Sequence, residues 1–436
     1  GVNAGVWICT LLICAVACAT YFPRVALTVQ PGDGAELAAA AYNGAIVHPP
    51  GYPLYSMCAR ALVSFFPSNP YYTLSLFSAV LQALTVSLFF QVCFVISSSV
   101  FIAGVFASLW MCYGPVVRTA TDVEVFALHH FLVTSFTLLM LLYWPSKKRS
   151  MLCLLLLGTL GGLASANHHT TILWSPLVLV FLLKNRRHLT RELSLIGIGF
   201  GAGLSTYLYL LLPRSSEQLV AFPGITNLRD LWLWIIRDGY GTFSLWSGDG
   251  SPTVSYMSHF FITSFSSHWL AWIGVLLLLL GTLRSPSALK LGLGGTTVLH
   301  LVFLARIIFP ANDPLFEDTA ARFYGVITLS MYLSAALAFR SFIAGSRELS
   351  CVIALFAFVL ALQAIPQELA EGTASRDFIL QAELDSILEE VPEQAVFISS
   401  TDRISMGIQY QQIVEARRPD VLLLVSGLLG SYAYRE

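Results

Sequence analysis

The strongest constraint on this chain is a series of about eleven apolar runs, each near the roughly 20 residues an α-helix needs to cross a bilayer. They fall at 5–22, 72–97, 99–117, 123–143, 151–166, 169–184, 193–213, 263–283, 291–309, 322–340 and 349–365. Backbone placed in hydrocarbon must satisfy its own hydrogen bonds, so runs of this length become helices. The short alternating segments of a membrane barrel are not the pattern here. Composition agrees: 11% of residues are charged and 56% hydrophobic, against about 25% charged in soluble domains. The expected fold class is therefore an α-helical polytopic membrane protein. A net charge of -1 gives no basic balance, so nucleic acid is not an expected partner. The eight cysteines sit mostly inside apolar runs and read as small core residues, not as disulfides or metal ligands. The first run lacks a basic leader and a small-residue cleavage site, so it reads as a span and not a signal peptide.

Charge sets the orientation. Alternate loops hold Lys147, Lys148, Arg149, Lys184, Arg186, Arg187, Arg191, Arg284, Lys290, Arg340 and Arg347, and the positive-inside rule makes them cytosolic. Of the 25 acidic residues, only Glu192 and Glu348 share that side. The opposite face carries the large loops. Two amphipathic stretches, AELAAAAYNGA and LYSMCARALVSFF, are expected as helices lying in the interface, as is NLRDLWLWIIRDGYG. Residues 1–365 read as a membrane domain. Residues 366–436 alternate helical and apolar strand-like segments and read as a small, incomplete α/β unit. A start at Gly and a stop at SYAYRE suggest that both ends of a longer chain are missing.

The unusual polar groups all gather on the face opposite the basic loops: Asp33 and Glu36; Arg118, Asp122 and Glu124; Asn167, His168 and His169; Arg237, Asp238 and Tyr240; Asp313, Glu317, Asp318 and Arg322. An ionised group in hydrocarbon costs about 2.5–3.5 kcal/mol on insertion scales unless paired or wet. Such clustering implies a polar cavity at the membrane surface. Each group also has a plainer reading. Asp33 is placed to cap the following Ala-rich helix, with Glu36 completing a capping box. His48-Pro-Pro-Gly-Tyr-Pro is a rigid turn. Asn167-His168-His169 lacks a third zinc ligand. Arg237 and Arg322 can serve as headgroup anchors.

The ordered motifs resemble the transmembrane protein 260 family of protein O-mannosyltransferases. The family loop G-D-S-G-E-L, then A-H-P-P-G-Y-P-L, is matched at Gly32, Asp33, Glu36 and Leu37 and from His48 to Leu54, with Ala35 for Gly and Val47 for Ala. A-E-V-F-S-L is similar to Glu124-Val125-Phe126-Ala127-Leu128, and N-Q-H-T to Asn167, His169 and Thr170 with His168 for Gln. E-Y-G-T-F-S-L matches Tyr240 through Leu245, with Gly239 for the acid. An R-F pair recurs at Arg322-Phe323, and RRPDVLLL in the tail resembles R-P-D-I-S-L.

The resemblance implies a GT-C-type helical bundle in the endoplasmic reticulum membrane with its active site lumenal. The implied donor is dolichyl-phosphate mannose, used as a substrate without further cofactor. The implied acceptors are Ser or Thr of folded immunoglobulin-like domains. A hydroxyl nucleophile needs a carboxylate base, and a leaving phosphate needs cations. Asp33 is the expected base, with Glu36 or Glu124 orienting it or the sugar. Arg322 and Arg237 are the phosphate candidates. His48 and His169 are expected to contact donor or acceptor, with Tyr52, Asn167 and Tyr240 also lining the substrate site. No metal site is expected. Two rival classes are a lipid or solute transporter, expected to show repeats and midplane charges, and a non-catalytic scaffold, expected to leave Asp33, Glu124 and Arg322 dispersed.

Overall fold

The computed structural model describes residues 4–146, 150–184, 188–214, 225–238, 254–306, 319–343, 348, 369–370 and 378–428. It is a helical bundle: α1 (Ala4–Tyr21), α2 (Gly34–Asn43), α3 (Pro53–Phe65), α4 (Pro70–Ser97), α5 (Val100–Met111), α6 (Gly114–Thr121), α7 (Val125–Leu142) and α8 (Met151–Asn167). A 3-10 stretch (His169–Trp174) leads into α9 (Ser175–Leu183), then α10 (Leu189–Leu204), α11 (Leu228–Ile235), α12 (Val254–Arg284), α13 (Ala288–Arg306) and α14 (Tyr324–Ile343). Ten of the eleven expected runs fall on these helices; the eleventh, 349–365, lies outside the described residues. Among the described residues six helices are long and apolar enough to cross a membrane, or seven if the bent pair α5–α6 is one span.

Starts are set locally. Asn69, Ser99 and Ser150 each accept a hydrogen bond from a backbone N–H in the first turn of α4, α5 and α8. Two expectations are corrected. The run 99–117 is not one straight span: it breaks between Met111 and Gly114, with Pro115 in the first turn of α6, and bends by 67°. The Ala-rich helix α2 does not lie in the interface. Gly34 through Ala41 are all buried, because Ala side chains let neighbours close on every face. By contrast α3 and α11 keep exposed Phe65, Phe66, Leu228 and Trp232, as interfacial helices do.

The tightest helix pair is α8 with α10. Gly158 and Gly162 on one face Gly199 and Gly203 on the other; a Cβ built at any of the four would come within 2.1–2.5 Å of the partner backbone. This is small-xxx-small packing, in which missing side chains bring backbones into contact. Elsewhere long side chains tie helices together. Tyr21 donates to the Met111 carbonyl at 2.9 Å, and Trp110 donates to the Gly325 carbonyl at 2.9 Å. The seven described cysteines form no disulfide among the described residues.

The tail forms α15 (Ile379–Glu390), β1 (Val396–Ser399), α16 (Asp402–Ile413) and β2 (Leu422–Val425). The two strands pair in parallel, from Val396 with Leu422 to Ser399 with Val425, which requires a crossover such as α16. The unit rests on the membrane domain: α16 packs on α2, Tyr410 meets Tyr71 edge-on with centroids 6.0 Å apart, and Thr28 donates to Gln381 at 2.8 Å.

Candidate functional site

The site lies where α2, α7 and α14 begin and α8 ends. Asp33 occupies the cap position before α2 but makes no side-chain cap hydrogen bond. Its Oδ2 instead accepts from Arg322 Nη1 at 2.6 Å. Arg322 Nε stands 3.3 Å from Glu124 Oε1, so one guanidinium bridges two carboxylates from distant parts of the chain. Gly32 makes room for it. Its φ is +122° and an added Cβ would meet Arg322 Nη2 at 2.7 Å. The Asp33 and Arg322 side chains keep 31% and 21% of their surface exposed, so a ligand can reach them.

Asp33, Glu124 and Asp122 differ electrostatically. Burial would raise Asp33, but the charges of Arg322, His48 and Arg237 outweigh it and hold the group below its ordinary range. Burial raises Glu124 and dominates over Arg322, with Asp33 and Asp122 adding repulsion. Burial also lifts Asp122, to about 6, although Tyr71 and the Val123 N–H donate to it at 2.6 and 2.7 Å. At neutral pH Asp33 is thus the firmly ionised member.

Glu36, one turn into α2, is turned inward. Its side chain is 1% exposed and lies 2.6 Å from His48 Nδ1, and its other oxygen accepts the His48 backbone N–H at 2.7 Å. The HPPGYP turn brings His48 there: Gly51 has φ +88°, Tyr52 has φ 38°, and Pro53 opens α3. His48 Nε2 lies 3.1 Å from the Tyr52 hydroxyl. Burial opposes charge on His48, but Glu36 and Asp33 raise it to about 9.

Arg237 follows α11, and its charge bears on Asp33, His48 and Tyr52. Asn167 is buried and donates to the Val125 carbonyl at 3.1 Å, tying the end of α8 to the start of α7. His169 is exposed and lies 3.3 Å from the Tyr207 hydroxyl, at the margin of the cluster. Tyr240 and Asp313 lie outside the described residues. Sequence reasoning gave no role to His168, whose ring stacks on Tyr52 (centroids 6.3 Å, 14° between planes) and packs on Phe126 and Phe323. Burial lowers it to about 3, so it is a neutral platform. Its place beside the matched Asn167, where the family motif has Gln, was the available signal. Asp122 with Tyr71 was equally unassigned; their bond joins α4 to the α6–α7 turn. Together the groups offer an ionised carboxylate, a cation that can exchange partners, a second held cation and an aromatic wall.

Known proteins resemble this chain in the same terms. Residues 33–191 match the family model described as the protein O-mannosyl-transferase TMEM260 N-terminal domain. The chain is 26% identical over 421 residues to the mouse protein O-mannosyl-transferase TMEM260, covering 90% of this chain and 59% of that protein. It is 24% identical over 339 residues to tmem260 of Dictyostelium discoideum, covering 68% and 40%. It therefore spans less than two thirds of either relative. Among solved structures, ArnT from Cupriavidus metallidurans bound to undecaprenyl phosphate superposes with a TM-score of 0.62 at 12% identity, covering 97% of this chain and 90% of that one. The archaeal oligosaccharyltransferase AglB from Archaeoglobus fulgidus, in complex with an inhibitory peptide and a dolichol-phosphate, gives 0.59 at 10% identity, covering 95% and 64%. The architecture is thus that of the GT-C fold, and the family this sequence resembles is the TMEM260 family, the model of whose N-terminal domain matches residues 33–191.

Proposed function

We propose that this chain is a protein O-mannosyltransferase of the endoplasmic reticulum membrane. It moves mannose from dolichyl-phosphate mannose to Ser or Thr hydroxyls of folded, immunoglobulin-like domains on the lumenal side, with inversion at the anomeric carbon. The observation that carries the reading is the Asp33–Arg322–Glu124 bridge at one end of the bundle. A scaffold would have no need to gather these groups, and they sit at helix ends, away from the midplane where transporters bind. The names of the relatives and the lipid phosphate bound by a protein of the same fold support it.

In this reading the donor phosphate draws Arg322 away from Asp33. Losing its cation, Asp33 becomes a stronger base. It takes the proton of the acceptor hydroxyl as that oxygen bonds to the anomeric carbon, and the carbon–phosphate-oxygen bond breaks on the opposite face. Dolichyl phosphate departs with the electron pair, its new charge held by Arg322 and Arg237. Guanidinium groups carry the leaving charge, so no metal is assigned a role. Glu124 holds Arg322 while Asp33 is released.

The test is to incubate the membrane-embedded chain with dolichyl-phosphate mannose and a folded immunoglobulin-like domain, reading intact acceptor mass. One added hexose per modified site, lost in Asp33→Asn, is the expected result. An unmodified acceptor in the presence of bound donor would refute the transferase reading.

A further inference from the structure

Glu36, His48 and Tyr52 have no step in the transfer just described, yet they are bonded in series. Glu36 is enclosed and spends both oxygens on His48. A carboxylate only accepts, so His48 Nδ1 carries a proton. The direction of the next link depends on Nε2, 3.1 Å from the Tyr52 oxygen. If Nε2 were bare, the phenol would donate to it. If Nε2 carries a proton, the phenol must accept there and its own proton turns outward. The raised value of about 9 for His48 selects the second case at neutral pH. That balance already includes Asp33, which favours the charge, and Arg237, which opposes it. Glu124, Asp402 and the neutral His168 are the other groups interacting with His48. Tyr52 is also fixed in place, by its left-handed backbone and by stacking on His168. Beyond His48, the charges of Asp33, Arg237, Glu124 and Glu36 bear on its hydroxyl.

We propose that Glu36, His48 and Tyr52 form a directed hydrogen-bond relay that presents the Tyr52 hydroxyl as a donor to a phosphate oxygen beside the Asp33–Arg322 pair. The relay rests on the lipid-phosphate donor proposed above and deepens it. It makes Glu36 a positioning residue, acting through His48, and adds Tyr52 to Arg322 and Arg237 among the groups that separate a polyprenyl phosphate from the matching polyprenol.

The experiment uses the purified full chain in detergent, with sugar-free dolichyl phosphate as probe and dolichol as control, binding being read from the phosphorus resonance and by competition. Tyr52→Phe should weaken dolichyl phosphate about 10-fold or more and leave dolichol unchanged, the loss expected of one hydrogen bond to a charged group. Glu36→Gln should weaken it too, and the double variant should be no weaker than the poorer single one. Wild-type affinity should also fall as pH rises through about 9, more steeply than in Tyr52→Phe; this arm stands even if Glu36→Gln fails to fold. Affinity in Tyr52→Phe within twofold of wild type, or additive losses in the double variant, overturns the relay while leaving the transferase intact. A wild-type chain that binds dolichyl phosphate no better than dolichol removes both.

Discussion

The glycine pairs between α8 and α10 give opposite expectations on a single helix. Four glycines alternate along α10. At Gly197 and Gly201 an added Cβ has nothing within 4 Å. At Gly199 it would sit 2.2 Å from the Leu155 carbonyl oxygen, and at Gly203 2.5 Å from both Leu163 N and Thr159 O. Ordinary contact begins near 3.4 Å, so Gly199→Ala or Gly203→Ala must push the helices apart by about 1 Å, an overpacking cost of about 1–3 kcal/mol. Gly197→Ala and Gly201→Ala meet no obstacle and should gain about 0.5–1 kcal/mol from reduced chain entropy. Thermal unfolding in one detergent resolves the pairs by the sign of the shift, since each kcal/mol moves Tm by about 1 °C in a chain this long. The inner pair should also lose transferase activity, because α8 ends in Asn167 and delivers His168 to Tyr52. Equal shifts for all four alanine variants would refute the packing argument.

Arg322→Ala should raise the donor KM by about 10-fold or more while leaving the acceptor KM near wild type, as charge-assisted contacts to phosphate are about twice as strong as neutral ones; an unchanged donor KM reduces Arg322 to a headgroup anchor. The His48–Glu36 pair makes stability pH-dependent. With a folded-state value of about 9 against 6.5, its contribution is fully present below about pH 6.5 and is lost as pH rises through about 9. Wild-type Tm should therefore fall over that window, and His48→Gln should flatten the fall; parallel curves would refute the assignment. The chain has no native Asn-x-Ser/Thr sequon, so engineered ones report orientation. A sequon near Gln394 should be glycosylated and one near Ser287 should not, and the reverse pattern would turn the site to the cytosol.

The sequence made most of the spans and the gathering of polar groups at span ends legible, for different reasons. Membrane-length runs are a one-dimensional property, so most survive as helices. The acids segregate because charge is costly in hydrocarbon, and Asp33, Glu124 and Arg322 then stood out at span ends. That they touch depends on the packing of α2, α7 and α14, which no local pattern encodes. The capping reading of Asp33 and Glu36 failed for a tertiary reason: Arg322 and His48 are stronger partners than the first-turn N–H groups. The α8–α10 glycines were visible as Gly158-x-x-x-Gly162 and Gly199-x-x-x-Gly203, but their pairing is a property of two helices. The burial of α2 depends on the tail folding back over it, which its Ala-rich pattern cannot reveal.

The break between α5 and α6 has a geometric consequence for the carboxylates. Eight helical residues advance about 12 Å, and after a 67° turn only about 5 Å of that runs along the axis of α5, with about 11 Å directed sideways. A continuous helix would have carried Asp122 and Glu124 further along the axis of α5. The bend trades that advance for lateral travel, bringing Asp122 to Tyr71, which meets Tyr410 of the tail. The height of these acids along the bundle is thus set by one hinge angle, and under the donor proposed above a lipid-anchored phosphate, held at its headgroup plane, would have to meet them at that height.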